Sequence, residues 1–142
     1  TGVGTGSIPG FDEGTSYHIK MSGEIESDSK DEEVVVEITF NGVVVHTTSF
    51  VDLEEIDGKR VYEAEIDILC KSTGIAGTFY SNSQFVYSKN GNGNAYRGWN
   101  TRYLSTIDTT SGPFVIGATA QWVNAAVLNT FSCEMFQVIK IF

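Results

Sequence analysis

Residues 34–50 read VVVEITFNGVVVHTTSF, and this stretch decides the fold. Two runs rich in β-branched residues, which fit a pleated, half-buried surface, flank Asn41-Gly42. Asn-Gly supplies the two positive-φ residues of a type I′ turn, so Val34 to Phe40 and Val43 to Phe50 form a hairpin. A two-residue loop fixes the register. Phe40 is expected to face Val43, Ile38 to face Val45 and Val36 to face Thr47 on the buried side. On the other side Glu37 is expected opposite His46, a cross-strand pair on a wet face.

The same period of two extends in both directions. Upstream, Tyr17, Ile19, Met21 and Ile25 fall on one face, with His18, Lys20, Ser22, Glu24 and Glu26 on the other. An acidic turn from Ser27 to Glu33 joins this strand to the hairpin. Downstream, Asp57-Gly58 reads as a turn leading into Lys59 to Cys70. There Tyr62, Ala64, Ile66 and Ile68 face the core, and Glu63, Glu65 and Asp67 face water. A strand from about Thr78 to Ser88 follows Gly74 and Gly77. Asn90-Gly91-Asn92-Gly93-Asn94 reads as a turn, and a strand runs from about Ala95 to Ile107. Gly112-Pro113 breaks the chain again. Phe114, Ile116, Ala118, Ala120 and Trp122 then alternate. The final strand, about Thr130 to Phe142, slips in phase. Phe131, Cys133 and Met135 share one face, Phe136 and Val138 the other, and a β-bulge accounts for the slip. Its apolar end reads as a terminal strand pinned in a sheet or at a subunit contact.

No segment has a convincing helical period, and there is no internal repeat of the kind a propeller or solenoid needs. About eight short strands with turns at sandwich spacing, and no crossover helices, must pair antiparallel. The expected fold is all-β, an antiparallel jelly-roll β-sandwich, with a partly closed barrel as the competing topology. At 142 residues the chain fits one domain, and a domain of that size buries roughly 68% of its unfolded surface. Residues 1–13, TGVGTGSIPGFDE, read as a Gly-rich linker, with residues 14–142 as the jelly-roll domain. Gly2, Gly4 and Gly6 mimic part of a dinucleotide fingerprint, but no strand precedes them and no helix follows. The chain starts at Thr1, which reads as a fragment or processed chain.

Charge and composition narrow the function. The net charge is −9, with 16 acids and 4 bases in residues 1–70 against 2 acids and 5 bases in residues 71–142. Nucleic-acid phosphates would be repelled, so no nucleic-acid partner is expected. No run approaches the ~20 apolar residues of a membrane helix, and no basic apolar leader is present, so membrane insertion is not expected. Cys70 and Cys133, the two cysteines, cannot alone make a four-ligand zinc site and read as buried free thiols. With His18 and His46 as the only histidines and no nucleophile-elbow motif, no catalytic set emerges. The carboxylates of Glu63, Glu65 and Asp67, and of Asp28, Asp31, Glu32 and Glu33, could in principle hold Ca²⁺ or act as a glycosidase pair. EF-hand spacing is absent, and charged strand faces also discourage edge aggregation. No metal, no cofactor and no catalytic residue is expected.

One stretch stands out as a ligand candidate, NGNGNAYRGWNTRY over residues 90–103. Aromatic faces stack on sugar rings, and Asn and Arg bond hydroxyls or carboxylates. Tyr, Trp and Arg are also the residues richest at interface hot spots. Tyr96, Arg97, Trp99, Asn100 and Arg102 are the candidate ligand-binding residues. Core packing and a subunit interface are the other uses of the same side chains.

The second half resembles a recurrent domain at the C-termini of phage and large-DNA-virus fibre and surface proteins. The matching residues are Ile107-Asp108-Thr109-Thr110, Ala118-Thr119-Ala120-Gln121-Trp122, Leu128-Asn129-Thr130, Cys133 and Phe136. Gly14-Thr15-Ser16-Tyr17 with Ser22-Gly23, the Gly42-Val43-Val44-Val45 hairpin, and Tyr62 to Ile68 extend the likeness over about residues 14–142. The acidic first half and Tyr96-Arg97-Gly98-Trp99 depart from the usual pattern. The resemblance implies a trimeric jelly-roll head on a virion surface that attaches to a host glycan or surface protein and carries no enzyme activity. A purely structural capsid or assembly protein, and a carbohydrate-active enzyme, are the alternative classes.

Overall fold

A computed structural model describes residues 2–27, 32–48, 51–53, 56–88, 96–110, 112–124, 126 and 128–142. The described residues contain eleven strands and no helix, and every strand pair is antiparallel. In chain order they are β1 (Gly2–Ile8), β2 (Ser16–Ser27), β3 (Glu32–Phe40), β4 (Val43–Thr47), β5 (Val51–Leu53), β6 (Ile56–Ser72), β7 (Gly77–Ser88), β8 (Tyr96–Ile107), β9 (Phe114–Trp122), β10 (Thr130–Phe131) and β11 (Met135–Lys140). One sheet runs β1-β9-β3-β4, with β5 also on β3. The other runs β10-β2-β6-β7-β8, with β11 in the same lane as β10 along β2. The chain is thus an all-β protein of two antiparallel sheets, in which β6, β7 and β8 follow one another as a meander.

The alternation read from the sequence places the core. Ile19, Met21 and Ile25 of β2 and Tyr62, Ile66 and Ile68 of β6 are buried against Val34, Ile38 and Phe40 of β3 and Ile116 and Ala118 of β9. Each Ile, Val, Met or Phe side chain among them contributes about 1.5–3 kcal/mol by leaving water. The two sheets also meet along their sides. Ser105 Oγ of β8 donates to Val45 O of β4 at 3.2 Å, and Gly6 of β1 lies against Val138 and Phe136 of β11.

Three local expectations are corrected. First, Gly2–Ile8 is not a linker. It forms β1, paired with β9 from Gly2–Thr119 to Ile8–Phe114, and Ile8 is buried. Phe11 then enters the core, its ring 4.9 Å from Phe40, 4.9 Å from Phe79 and 5.0 Å from Phe114. Small glycines suit an edge strand pressed closely onto β11, where a Cβ on Gly6 would sit 3.3 Å from Val138.

Second, Asp57-Gly58 is not a turn before a strand. Both residues lie inside β6, where the pairing with β2 shifts between Ile25–Arg60 and Ser27–Ile56. Gly58 takes φ +68°, so the positive-φ signal marks a bulge rather than a reversal.

Third, the hairpin register departs from the expected one after a single step. Asn41 and Gly42 have φ 49° and 82°, as a type I′ turn requires, and Phe40 pairs with Val43. A bulge between Thr39–Val44 and Ile38–His46 then turns both Val45 and His46 inward and sets Glu37 opposite Thr47. His46 is 1% exposed and does not pair with Glu37 on a wet face.

The final strand expected over about Thr130 to Phe142 is divided into β10 and β11, which ends at Lys140, and the phase slip is a one-residue excess between them. Between Phe131–Ile25 and Met135–Ser22 the last strand advances four residues while β2 retreats three. Ile141 N donates to Ser16 O at 2.9 Å, which pins the apolar end to the sheet. The turn expected at residues 90–94, together with Asp28, Asp31, Ser49 and Phe50, lies outside the described residues.

Candidate ligand-binding face

The outer face of the larger sheet is built by register. Alternation turns His18 and Lys20 of β2, Glu65 and Asp67 of β6, Asn82 and Gln84 of β7, and Asn100 and Arg102 of β8 to the same side. Pairing then aligns them. One row runs Ile139–His18–Asp67–Asn82–Arg102, and the next runs Gln137–Lys20–Glu65–Gln84–Asn100. Neighbouring strands are about 4.8 Å apart and successive rows about 6.7 Å, so these ten positions cover one continuous, mostly polar patch.

The β2–β6 end of the patch is tied together. The His18 ring lies 2.6 Å from Asp67 Oδ1 through Nδ1 and 4.0 Å from Glu65 Oε1 through Nε2. Lys20 Nζ lies 3.5 Å from the same Glu65 oxygen. Exposed pairs of this kind contribute little stability, but they fix the carboxylates in place. The β7–β8 end holds a depression of about 360 Å³ lined by Glu65, Asp67, Asn82, Gln84, Asn100 and Arg102, with Ser83 and Thr101 beneath. Carboxylates accept, guanidinium donates, and the three carboxamides do both. That set suits a neutral ligand dense in hydroxyls or amides.

Of the five residues singled out in the sequence, Asn100 and Arg102 line this depression. Tyr96, Arg97 and Trp99 lie in β8 opposite Ser88, Tyr87 and Phe85, and their side chains are outside the described part of the structure. Asn82, Gln84, Glu65 and Asp67 join Asn100 and Arg102 there, a grouping that alternation along a single strand does not reveal. Outward alternation marked the two carboxylates as solvent-facing, but only the strand order shows that they share rows with β8.

His46 and the two cysteines lie away from this face. His46 Nδ1 lies 2.8 Å from Ser81 Oγ and Nε2 lies 2.8 Å from Ser83 Oγ. Ser81 Oγ donates to Val45 O at 3.2 Å, which is consistent with an Nδ1–H tautomer donating to that hydroxyl. Burial pulls the His46 pKa down to about 4, so the ring is neutral at neutral pH. Cys70 and Cys133 are free thiols, Cys70 buried and Cys133 half-buried, and burial pushes both pKa values up. Such thiols are poor nucleophiles. Among the described residues no group of three or more His, Cys, Asp or Glu is placed to hold a metal ion.

The fold and the patch together define an all-β protein of two antiparallel sheets, one of which carries a polar outer face. Comparison with protein-family models, curated proteins and solved structures finds no match to this chain.

Proposed function

We propose that this chain is a non-enzymatic binding domain, the head of a virion fibre or spike, which attaches to a host-surface glycan through the outer face of β2, β6, β7 and β8. The observation that carries the proposal is the depression where two carboxylates, three carboxamides and Arg102 converge on an open sheet face. The fibre-head resemblance over residues 14–142 supports the virion-surface part of the reading. The proposed fold within the sandwich class is a jelly roll, supported by the pairing of early with late strands in both sheets, β2 with β10–β11 and β3 with β9. The proposed assembly is a homotrimer, in which several weak sites act together, because linking sites raises avidity without new contacts.

Glycan-array binding combined with native mass tests the proposal. The expected result is a trimer that retains a defined glycan class. Asn82→Ala and Arg102→Ala should each weaken retention about tenfold, the scale of one lost hydrogen-bonding group. Both residues are exposed, so the thermal midpoint should stay within about 2 °C. A strict monomer with no binding to host-cell surfaces overturns the proposal.

A further inference from the structure

Next to the polar depression lies a second hollow of about 240 Å³ with a different character. Its apolar wall is Leu69, Tyr80, Ile141 and Phe142. Leu69 and Tyr80 are register neighbours on β6 and β7, and Leu104 on β8, 64% exposed, continues the row. The C-terminal side of the wall is held by backbone bonds, Ser16 N to Phe142 O at 3.4 Å and Ile141 N to Ser16 O at 2.9 Å, while Phe142 remains 79% exposed. Asp67 and Asn82 line both hollows. The border between the polar and apolar surfaces is therefore a carboxylate beside a carboxamide.

A ligand that fills both hollows must be rich in hydroxyls on one side. At the border it must offer an N–H and a C=O, and just beyond it a small apolar group. A plain hexose leaves the apolar wall wet. An acyl chain covers the wall but leaves the carboxamides and Arg102 with nothing to bond. An acidic sugar places its charge beside Glu65 and Asp67. We infer that the ligand is a neutral oligosaccharide containing an N-acetylhexosamine, its acetamido group seated at Asp67 and Asn82 with the methyl against Leu69 and Phe142. The ring hydroxyls then lie over Gln84, Asn100 and Arg102. This inference rests on the binding-face reading and specifies its ligand.

The test compares N,N′-diacetylchitobiose with cellobiose. The two share a β1,4-linked glucose backbone and differ only in acetamido against hydroxyl groups. Each is titrated into the chain by heteronuclear NMR up to roughly 10 mM, a range that captures weak monovalent binding. Diacetylchitobiose should bind about tenfold tighter, as expected for a buried methyl plus a made amide hydrogen bond. Asn82→Ala should weaken binding of both about tenfold, and Leu69→Ser should erase the preference. Equal affinities that still depend on Asn82 overturn the acetamido inference and leave the binding face standing. Failure of both sugars to bind the folded chain overturns the inference, and the glycan array then judges the binding face by itself. Sedimentation of the native chain and of Leu69→Ser gives a third readout. An oligomer that dissociates on this substitution shows the wall covered by a second copy, which also overturns the inference.

Discussion

His46 carries a cost that depends on pH. In an unfolded chain an imidazole titrates near 6.5, whereas burial between β4 and β7 lowers the folded value to about 4. Its described neighbours are the Ser81 and Ser83 hydroxyls and the Tyr103 ring, with no carboxylate to favour the charged form. Between pH 6.5 and 4 the unfolded chain holds the proton and the folded chain does not. Stability is therefore complete above the unfolded value and falls as the pH drops through this window. The loss is about 3 kcal/mol by pH 4, at ~1.4 kcal/mol per unit. Urea midpoints at pH 7.5 and 4.5 for the native chain and for His46→Gln check this, since the comparison removes the shared carboxylate contribution. A native chain no more acid-sensitive than the variant would refute it. Phe11 is the second residue whose weight is set by tertiary contacts. Truncation to Ala should cost about 2–3 kcal/mol in a denaturant titration, because it opens a space among Phe40, Phe79 and Phe114.

At the scale of the element, the segment 1–13 and the last strand behave differently from their composition. Deleting residues 1–13 should lower the thermal midpoint well beyond what loss of a flexible tether would do, since it removes the β1–β9 ladder and Phe11 together. An unchanged midpoint in calorimetry would return the segment to the role of linker. The β10–β11 bulge depends on Gly23. Ser132 crosses β2 there, with Ser132 N donating to Glu24 O at 2.9 Å, and a Cβ on Gly23 would collide with the Ser132 carbonyl. Gly23→Ala should therefore cost about 3 kcal/mol or more, because the obstacle is backbone and cannot rotate away. A unfolding midpoint equal to that of the native chain would show that the bulge can shift. The turn at Asn41-Gly42 serves beyond its own hairpin. Asn41 Oδ1 accepts from Val115 N at 2.7 Å, which ties the reversal to β9.

Over the whole molecule, charge acts collectively. A net charge of −9, gathered largely in residues 1–70, adds self-repulsion to a fold held mainly by its apolar core. Raising NaCl from about 20 mM to about 500 mM should raise the thermal midpoint by about 3 °C, because screening shortens the reach of these repulsions. A midpoint that falls with salt would mean that ion pairs such as Lys20–Glu65 outweigh the repulsion. Much of this architecture was legible in the chain. Period-two alternation marks inside and outside correctly along β2, β6 and β9, and Asn41-Gly42 reads as the turn it is. Alternation is local, however, and says which face a side chain joins but not which strand lies beside it. Asn100 and Arg102 could be picked out one by one, yet their row with Asn82, Asp67 and His18 exists only once β8, β7, β6 and β2 are laid side by side. The run Ser81-Asn82-Ser83-Gln84 shows why, since four polar residues carry no periodicity to say which pair turns inward. The flanking Phe79, Phe85 and Tyr87, buried on the same parity, set the phase, and it turns Ser81 and Ser83 inward to meet His46. By itself the sequence determined most of the strands, the faces of β2, β6 and β9 and the turn at Asn41-Gly42, because these follow from neighbours a few residues apart. The lanes, the hairpin bulge, the capture of β1 and the shared polar face were decided by the tertiary structure, because each depends on burial and pairing between segments distant in the chain.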